Sequence, residues 1–141
     1  MARLIQFSEA ASLALHGAAF MALSPEKAFS ARRIAERAGV SENHLVKVLQ
    51  RLVKAGLLAS VRGPKGGYRF AVPPGDISLL EVYEAVEGRL ETSFCPARRS
   101  SCVFRGCLFG GILDRLNGEI AEYFRNTRLV DFAAEEAARA G

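Results

Sequence analysis

Residues 57–72 read LLASVRGPKGGYRFAV, two short runs of strand-forming residues on either side of a turn of glycine, proline and lysine. This pattern predicts a β-hairpin, because glycine permits the positive backbone dihedral angles of a tight turn. The hairpin is basic, with Arg62 and Lys65 at its tip and Arg69 on the returning strand. Such a hairpin either only covers the core or places its cations against phosphate groups, and the preceding segment favours the second interpretation.

Two helices are predicted just before the hairpin, over residues 31–38 and 42–55. Each follows a serine, Ser30 or Ser41, whose hydroxyl can accept a hydrogen bond from an unpaired amide of the first turn. Gly39 ends the first helix in a tight turn. The second helix has apolar residues at the spacing of a core stripe and a polar opposite face. The order of helix, turn, helix and hairpin predicts a winged helix-turn-helix, a mainly α fold with a small β-wing.

Two more helices complete the expected DNA-binding domain, residues 1–88. One runs over residues 9–23 behind a capping serine and stops before a proline, which disfavours continuing a helix. The other begins with Ser78 and Glu81, which have the spacing of a capping box, and continues to the end of the domain. Residues 89–110 are expected to follow as an irregular loop that carries the cysteines.

Residues 111–141 are predicted to contain a long amphipathic helix followed by a short one. The apolar residues of the long helix fit one face of about four turns, interrupted at Asn117 and Gly118. These apolar residues are Ile112, Leu113, Leu116, Ile120, Tyr123 and Phe124. Either the rest of the chain or a second copy can cover this face, and a second copy makes it a C-terminal dimerisation helix, which suits palindromic operators. Thr127 can cap the short helix, which is expected to fray after Phe132.

Charge is distributed unevenly along the chain. Residues 27–70 carry ten Lys or Arg and two Glu, a net charge of +8, whereas the whole chain of 141 residues carries +4. A basic block inside a folded segment is the electrostatic footprint of a nucleic-acid-binding domain. The longest apolar stretch, residues 10–23, is interrupted by polar residues and is shorter than the roughly 20 apolar residues that span a bilayer. The sequence therefore predicts a cytoplasmic protein that binds double-stranded DNA and no membrane.

The three cysteines, Cys95, Cys102 and Cys107, fall within thirteen residues of one another. An odd number in a cytosolic chain argues against a disulfide framework and favours a metal, a cluster or a redox thiol. Six and then four residues separate them, which differs from the Cys-x-x-Cys spacing of zinc sites. Three thiolates among glycine amides suit an iron–sulfur cluster with a fourth ligand from elsewhere, while reactive thiols and buried cysteines without a chemical role stay open. No histidine or acid lies at a recognisable spacing from a cysteine, so an enzyme is not expected.

Much of the chain resembles a known family, the winged-helix regulators represented by the iron–sulfur cluster regulator IscR, the nitric-oxide-sensitive repressor NsrR and the cysteine-metabolism repressor CymR. The segments that carry the resemblance are IAE at 34–36, GVSENHLVK at 39–47, KAGL at 54–57, VRGPKGGYR at 61–69 and ISLLEVYEAVEG at 77–88. It implies a homodimer that represses or activates promoters, with the helix over 42–55 in the major groove and the wing arginine in the minor groove. The residues to which it assigns DNA contact are Ser41, Asn43, His44, Lys47, Arg62, Lys65 and Gly66.

The same resemblance implies that the three cysteines hold a [2Fe–2S] or [4Fe–4S] cluster whose loss or alteration by nitric oxide, oxygen or iron limitation changes operator affinity. Two departures bear on the ligands. The cysteine spacing is six and four where members commonly have five and five, and Gly110 stands where IscR-like members have a histidine ligand. In NsrR-like members an acidic residue of the partner's first helix is a ligand, which points to Glu9, with Ser12 or His16 as alternatives. A regulator of the same fold without a cluster, acting by a thiol switch or by binding a partner protein, is the other interpretation.

Overall fold

The computed structural model describes residues 1–91, 93, 95–96 and 102–141. Over these residues the chain forms six α-helices and one two-stranded antiparallel sheet. The helices are α1 (Glu9–Ala22), α2 (Ala31–Ala38), α3 (Glu42–Lys54), α4 (Leu79–Glu87), α5 (Ile112–Asn126) and α6 (Leu129–Ala140). The strands are β1 (Leu58–Val61) and β2 (Gly67–Phe70), and a short 3-10 helix, Pro74–Asp76, precedes α4. The predicted mainly α fold with a small wing is confirmed.

Local capping signals explain where the helices α1 to α4 begin. The serines whose hydroxyls accept a hydrogen bond from an amide of the first turn are Ser8, Ser30 and Ser41. Gly39 ends α2 with a φ of 67°, as its sequence position predicts. At the start of α4, Ser78 and Glu81 each accept a hydrogen bond from the other's amide, so the predicted capping box is present.

The first helix lies at the centre of the molecule. α1 packs against α2, α3, α4 and α6, and its small residues permit this close approach. The largest completely buried side chains of the core include Met21, Ile34, Leu45, Leu49 and Leu52. Within the described part of the chain, no helix is both long enough and apolar enough to cross a membrane.

The wing packs against α3 through β1 and is also bonded to the chain just before α2. β1 and β2 pair in antiparallel register, with Leu58 opposite Phe70. Outside the hairpin, Phe29 exchanges two backbone hydrogen bonds of 2.8 Å with Tyr68 on β2. The residue before the capping serine of α2 is therefore a third partner of the sheet, and these bonds tie the position of the wing to α2.

The predicted long helix is a single unbroken element. α5 continues through Asn117 and Gly118, where an interruption was expected. A glycine in a helix interior costs only about 1 kcal/mol relative to alanine, which is too little to break a 15-residue helix that packs against α4. The expected interruption is therefore wrong.

The last helix begins and ends differently from the prediction. Thr127 does not cap α6, because it is the residue that ends α5. Arg128 stands at the cap position, and its amide donates to the Asp131 carboxylate 2.7 Å away. α6 continues well beyond Phe132 instead of fraying there, because it packs against α1 and buries Leu129 completely.

Two backbone hydrogen bonds join the start of α4 to the start of α6. The Leu79 amide donates to the Thr127 carbonyl at 2.9 Å, and the Leu129 amide donates to the Ile77 carbonyl at 3.0 Å. The chain therefore leaves the pair of hydrogen bonds with α4, continues through residues 89–110, called the cysteine segment below, and through α5, and returns to the same pair of hydrogen bonds.

Candidate nucleic-acid interface and cysteine site

One face of α3 is buried and the other is open. The buried residues, each at most 2% exposed, are Leu45, Val48, Leu49 and Leu52. On the opposite face Asn43 and Lys47 are exposed, and His44 is half-buried. Ser41 is exposed as well, but its hydroxyl accepts the capping hydrogen bond from the His44 amide. These four predicted contact residues therefore share the beginning of one helix.

The wing tip presents two cations on a turn that requires glycine. Arg62 and Lys65 are both exposed. The Gly66 amide closes the turn by donating to the Gly63 carbonyl at 2.9 Å. A Cβ atom added to Gly66 would lie 2.2 Å from the Val61 carbonyl oxygen, so no other residue fits without moving the backbone. Gly66 therefore shapes the turn through its lack of a side chain.

Four of the ten basic residues of the block over 27–70 form a first group, and Lys47, Arg62 and Lys65 form a second. In the first group each guanidinium contacts an acid, a carbonyl or an aromatic ring of the chain itself, and its members are Arg32, Arg33, Arg37 and Arg51. Arg51 is exposed on the polar face of α3, and its Nη1 donates to the Val86 carbonyl at 2.9 Å, which links α3 to the end of α4. None of the ion pairs in the described ranges involves Lys47, Arg62 or Lys65. Within the described ranges, the charges of the second group are therefore not neutralised by an ion pair.

Glu9 lies against the predicted DNA-contacting helix. Its Oε1 is 3.5 Å from Nδ1 of His44, with the two side chains 70% and 39% exposed. Glu9 is not among the residues that line the cavity around the cysteines. The sequence pattern does not predict this contact, because it joins the first turns of two different helices and carries no periodicity.

The beginning of α1 also contacts α4 and α5. The Ser8 hydroxyl donates to the carboxylate of Glu87, the last residue of α4. Next to it, the Phe7 ring packs against the rings of Tyr83 and Phe124, with centroids 6.1 and 5.9 Å apart. Burial raises the pKa of the Tyr83 phenol, and the nearby Glu87 carboxylate adds to the rise. The start of α1 is therefore held between α3, α4 and α5.

The three cysteines line one cavity of about 350 Å³. All are free and exposed. The apolar residues of the cavity wall are Val103, Phe104, Leu108 and Phe109. Among the described residues, no three His, Cys, Asp or Glu side chains are arranged to bind a single metal ion. Other residues of the segment expected to be a cysteine-bearing loop, Thr92, Phe94 and 97–101, lie outside the described residues.

The two alternative candidates for a fourth ligand lie elsewhere. His16 Nδ1 is 2.7 Å from the Ser12 carbonyl oxygen of its own helix. Its ring faces a different cavity, of about 200 Å³, together with Tyr123 and Asp131. The structure therefore does not bring Glu9, Ser12 or His16 to the cysteines of the same chain.

Large apolar side chains are exposed on α5 and in the segment that carries the cysteines. Leu116 and Tyr123 are 37% and 62% exposed, and Val103 and Leu108 of the cysteine segment are both 81% exposed. A cavity of about 480 Å³ lies between α5, the end of α4 and the N-terminal residues, with Leu116 in its wall. The chain by itself therefore leaves part of the predicted apolar face of α5 uncovered.

Comparison with known structures identifies the fold. The structure of CymR, the global cysteine regulator of B. subtilis, superposes with a TM-score of 0.76 at 22% sequence identity, over 94% of this chain and 98% of that one. This similarity confirms the winged-helix architecture expected from the sequence and, at that identity, shows the fold alone.

Comparison with known sequences identifies the family. The HTH-type regulator BadM of Rhodopseudomonas palustris is 48% identical over 67 residues, which is 48% of this chain and 43% of BadM. IscR of Vibrio atlanticus is 34% identical over 96 residues, 68% of this chain and 56% of IscR, so the match spans about half the length of these relatives. These similar proteins are transcriptional regulators and not enzymes, as the sequence predicts. Because the family model for Rrf2, described as an iron-dependent transcriptional regulator, matches residues 7–135, the chain belongs to the Rrf2 family of transcriptional regulators.

Proposed function

We propose that this chain is a homodimeric DNA-binding repressor of the cytoplasm whose affinity for a palindromic operator is set by an iron–sulfur cluster, [2Fe–2S] or [4Fe–4S]. Cys95, Cys102 and Cys107 supply three ligands, and Glu9 of the partner subunit supplies the fourth. The observation that carries the proposal is that three free cysteines line one cavity in a member of a family of iron-dependent regulators.

The open face of α3 and the wing tip support the DNA-binding part. α3 offers Asn43, His44 and Lys47 to the major groove, which is wide enough to admit an α-helix. Arg62 and Lys65 are exposed on the wing and form no ion pair with the acids of the described residues, so they are available to the minor groove and the phosphates. In this arrangement Ser41 and Gly66 act through the backbone, by capping the helix and by shaping the turn.

The uncovered apolar surface supports the dimer. A second copy that packs its α5 against this one would bury Leu116 and Tyr123, which are exposed in the single chain. A two-fold dimer places two α3 helices in successive major grooves, and a palindromic operator has the same symmetry.

The donor set at the cavity fits a cluster. Thiolates are the usual ligands of iron–sulfur clusters, and three of them reach one cavity here. Val103, Phe104, Leu108 and Gly106 line the same cavity, and hydrogen bonds from backbone amides to cluster sulfurs are a general feature of such sites. When bound, such a cluster supplies chemistry that responds to oxygen, nitric oxide and iron supply. The chain's own part is to hold three thiolates on one segment and to present Glu9 from a different element, the first helix of the partner.

The first experiment is the absorbance spectrum, with iron and acid-labile sulfide assays, of protein purified without oxygen. We expect a broad visible band with stoichiometric sulfide, and loss of both in Cys102→Ser. Leu108→Ala, which alters the same segment but no thiol, should keep the band. A colourless, iron-free dimer that binds DNA would contradict the cluster and leave the DNA-binding part standing.

The second candidate is a regulator of the same fold that uses the cysteines without a cluster, as a thiol switch or for binding a partner protein. It is favoured by the exposure of all three thiols, since accessible thiols are the ones that oxidise readily. Titration with an oxidant and mass spectrometry distinguishes the two candidates. Reversible disulfide formation that changes operator affinity in iron-free protein would establish the thiol switch.

A further inference from the structure

The beginning of α1 touches both parts that the proposed function has to connect. Ser8 donates to Glu87, which ends α4 immediately before the cysteine segment, and Glu9 contacts His44 in the first turn of α3. Two adjacent residues therefore contact the element that leads to the cysteines and the helix that faces DNA.

The His44 side chain can move although its backbone is fixed. Its amide donates to the Ser41 hydroxyl, and the next residue, Leu45, is completely buried. The imidazole itself is 39% exposed and contacts the Glu9 carboxylate at 3.5 Å. A change of partner at Glu9 can therefore reorient the imidazole without moving α3.

We infer that Glu9 regulates DNA binding by holding His44, so that the contact seen here is the low-affinity state of the interface. The inference rests on the proposed function, in which the same carboxylate is a cluster ligand of the partner subunit. The Glu9 carboxylate either stays in contact with the His44 imidazole or would donate a lone pair to iron, and the exchange transfers no electron. In the second case His44 is released toward the DNA.

Ligation of iron by Glu9 and the contact of Glu9 with His44 must weaken each other by the same factor. If ligation and the contact with His44 compete for one carboxylate, removal of His44 strengthens ligation by the same factor by which ligation frees His44. The Glu9–His44 pair is exposed, and pairs of this kind change an equilibrium by about two- to five-fold. The inference therefore predicts a modest regulatory factor.

Operator binding by the cluster-free dimer tests whether the contact between Glu9 and His44 lowers the affinity for DNA. The probe is a fluorescein-labelled duplex that the wild-type protein selects from a random-sequence library, and the readout is anisotropy. We expect Glu9→Gln to tighten binding about two- to five-fold in the wild-type background and to have no effect in a His44→Gln background.

Glu42→Gln is the matched control, because Glu42 is an exposed acid in the first turn of α3. It should tighten binding equally in both backgrounds, through the loss of a negative charge near the phosphates. If Glu9→Gln also tightens binding equally in both backgrounds, its effect is general electrostatics and the inference is overturned.

Cluster retention tests whether His44 competes with the cluster for the Glu9 carboxylate. His44→Gln should slow the loss of the visible band on exposure to a chelator about two- to five-fold, whereas Glu9→Gln should speed it. A wild-type chain that forms no cluster on anaerobic reconstitution would overturn the proposed function and this inference with it. A chain that binds cluster and operator but shows no coupling between Glu9 and His44 overturns this inference alone.

Discussion

At the level of single residues, the wing depends on two adjacent glycines for different reasons. The sequence pattern attributes both to positive dihedral angles, yet only Gly67, at 140°, has a positive φ. Gly66 is required because a Cβ atom would overlap the Val61 carbonyl. Gly67 meets a second obstacle, since its Cβ would lie 2.2 Å from the Phe29 carbonyl oxygen where the sheet joins the core. Such crowding comes from a residue distant in sequence, so a local pattern cannot reveal it.

We expect Gly67→Ala to lower the free energy of unfolding by more than 3 kcal/mol, roughly the sum of a strained dihedral angle and a backbone overlap. Gly56→Ala is the control, because Gly56 has a φ of 81° but nothing within 4 Å of the added atom. It should cost only about 1 kcal/mol. Urea unfolding measures both, and equal losses would show that the Phe29 contact is unimportant.

The wing cations should differ in what they recognise. Lys65→Ala should reduce the slope of log affinity against log salt by about one, because one phosphate contact is lost. Arg62→Ala should weaken operator binding about ten-fold or more and reduce the preference for operator over random DNA. Arg139→Ala, which removes a charge paired with acids on α6, should change neither quantity. Unchanged operator affinity in Arg62→Ala would rule out a role for the wing arginine.

At the level of elements, α3 is attached near both of its ends. Its first turn contacts Glu9 of α1, and in its last turns Arg51 donates to the Val86 carbonyl at the end of α4. The position of α3 therefore depends on α1 and on α4, the helix that precedes the cysteine segment in sequence.

Arg51→Met should destabilise the fold by about 1 kcal/mol, since it removes that hydrogen bond and keeps most of the aliphatic side chain. The salt dependence of DNA binding should not change, because the guanidinium serves α4 rather than a phosphate. The comparison is Lys54→Met. Lys54 lies three residues after Arg51 on α3 and forms no ion pair in the described ranges. A reduced salt slope for Arg51→Met would show that Arg51 contacts DNA instead.

The elements that the sequence predicts well are those with local signals. Serine caps, the terminal Gly39 and the capping box at Ser78 act within one turn, and the helices that they delimit are confirmed. The errors lie at Gly118 and Thr127, where packing of α5 and α6 on the core outweighs local preference. The candidate site divides in the same way: periodicity predicts the open face of α3, whereas the contact between Glu9 and His44 depends on tertiary packing.

At the level of the whole molecule, charge and apolar surface occupy different parts of the chain. The block over 27–70 carries +8 within a chain of +4, so the rest of the chain, which includes α5 and α6, is acidic. The apolar residues exposed on α5 and in the cysteine segment lie in that acidic part. One part is therefore suited to a polyanion and the other to a second copy.

Leu116→Asp should shift the protein from dimer to monomer and weaken operator binding at least ten-fold, because a charge would be buried at the proposed α5 contact. Sedimentation velocity and anisotropy measure the two effects on the same samples. Glu122→Gln changes an exposed residue off the apolar stripe of α5 and should leave both unchanged. A dimer that survives Leu116→Asp would place the subunit contact elsewhere.

The hydrogen bonds between the starts of α4 and α6 have a consequence for how this protein can evolve. Leu79 with Thr127, and Ile77 with Leu129, close the base of an excursion that contains the cysteine segment. Lengthening a flexible loop to twice its size costs only about 0.6 kcal/mol, and here the base stays fixed whatever the loop contains. Insertions, deletions and exchanges of ligands within residues 89–110 can therefore accumulate with little loss of stability in α3 and the wing. If the proposed function holds, one sensing chemistry at the cysteines could replace another during evolution while α3 and the wing are inherited unchanged.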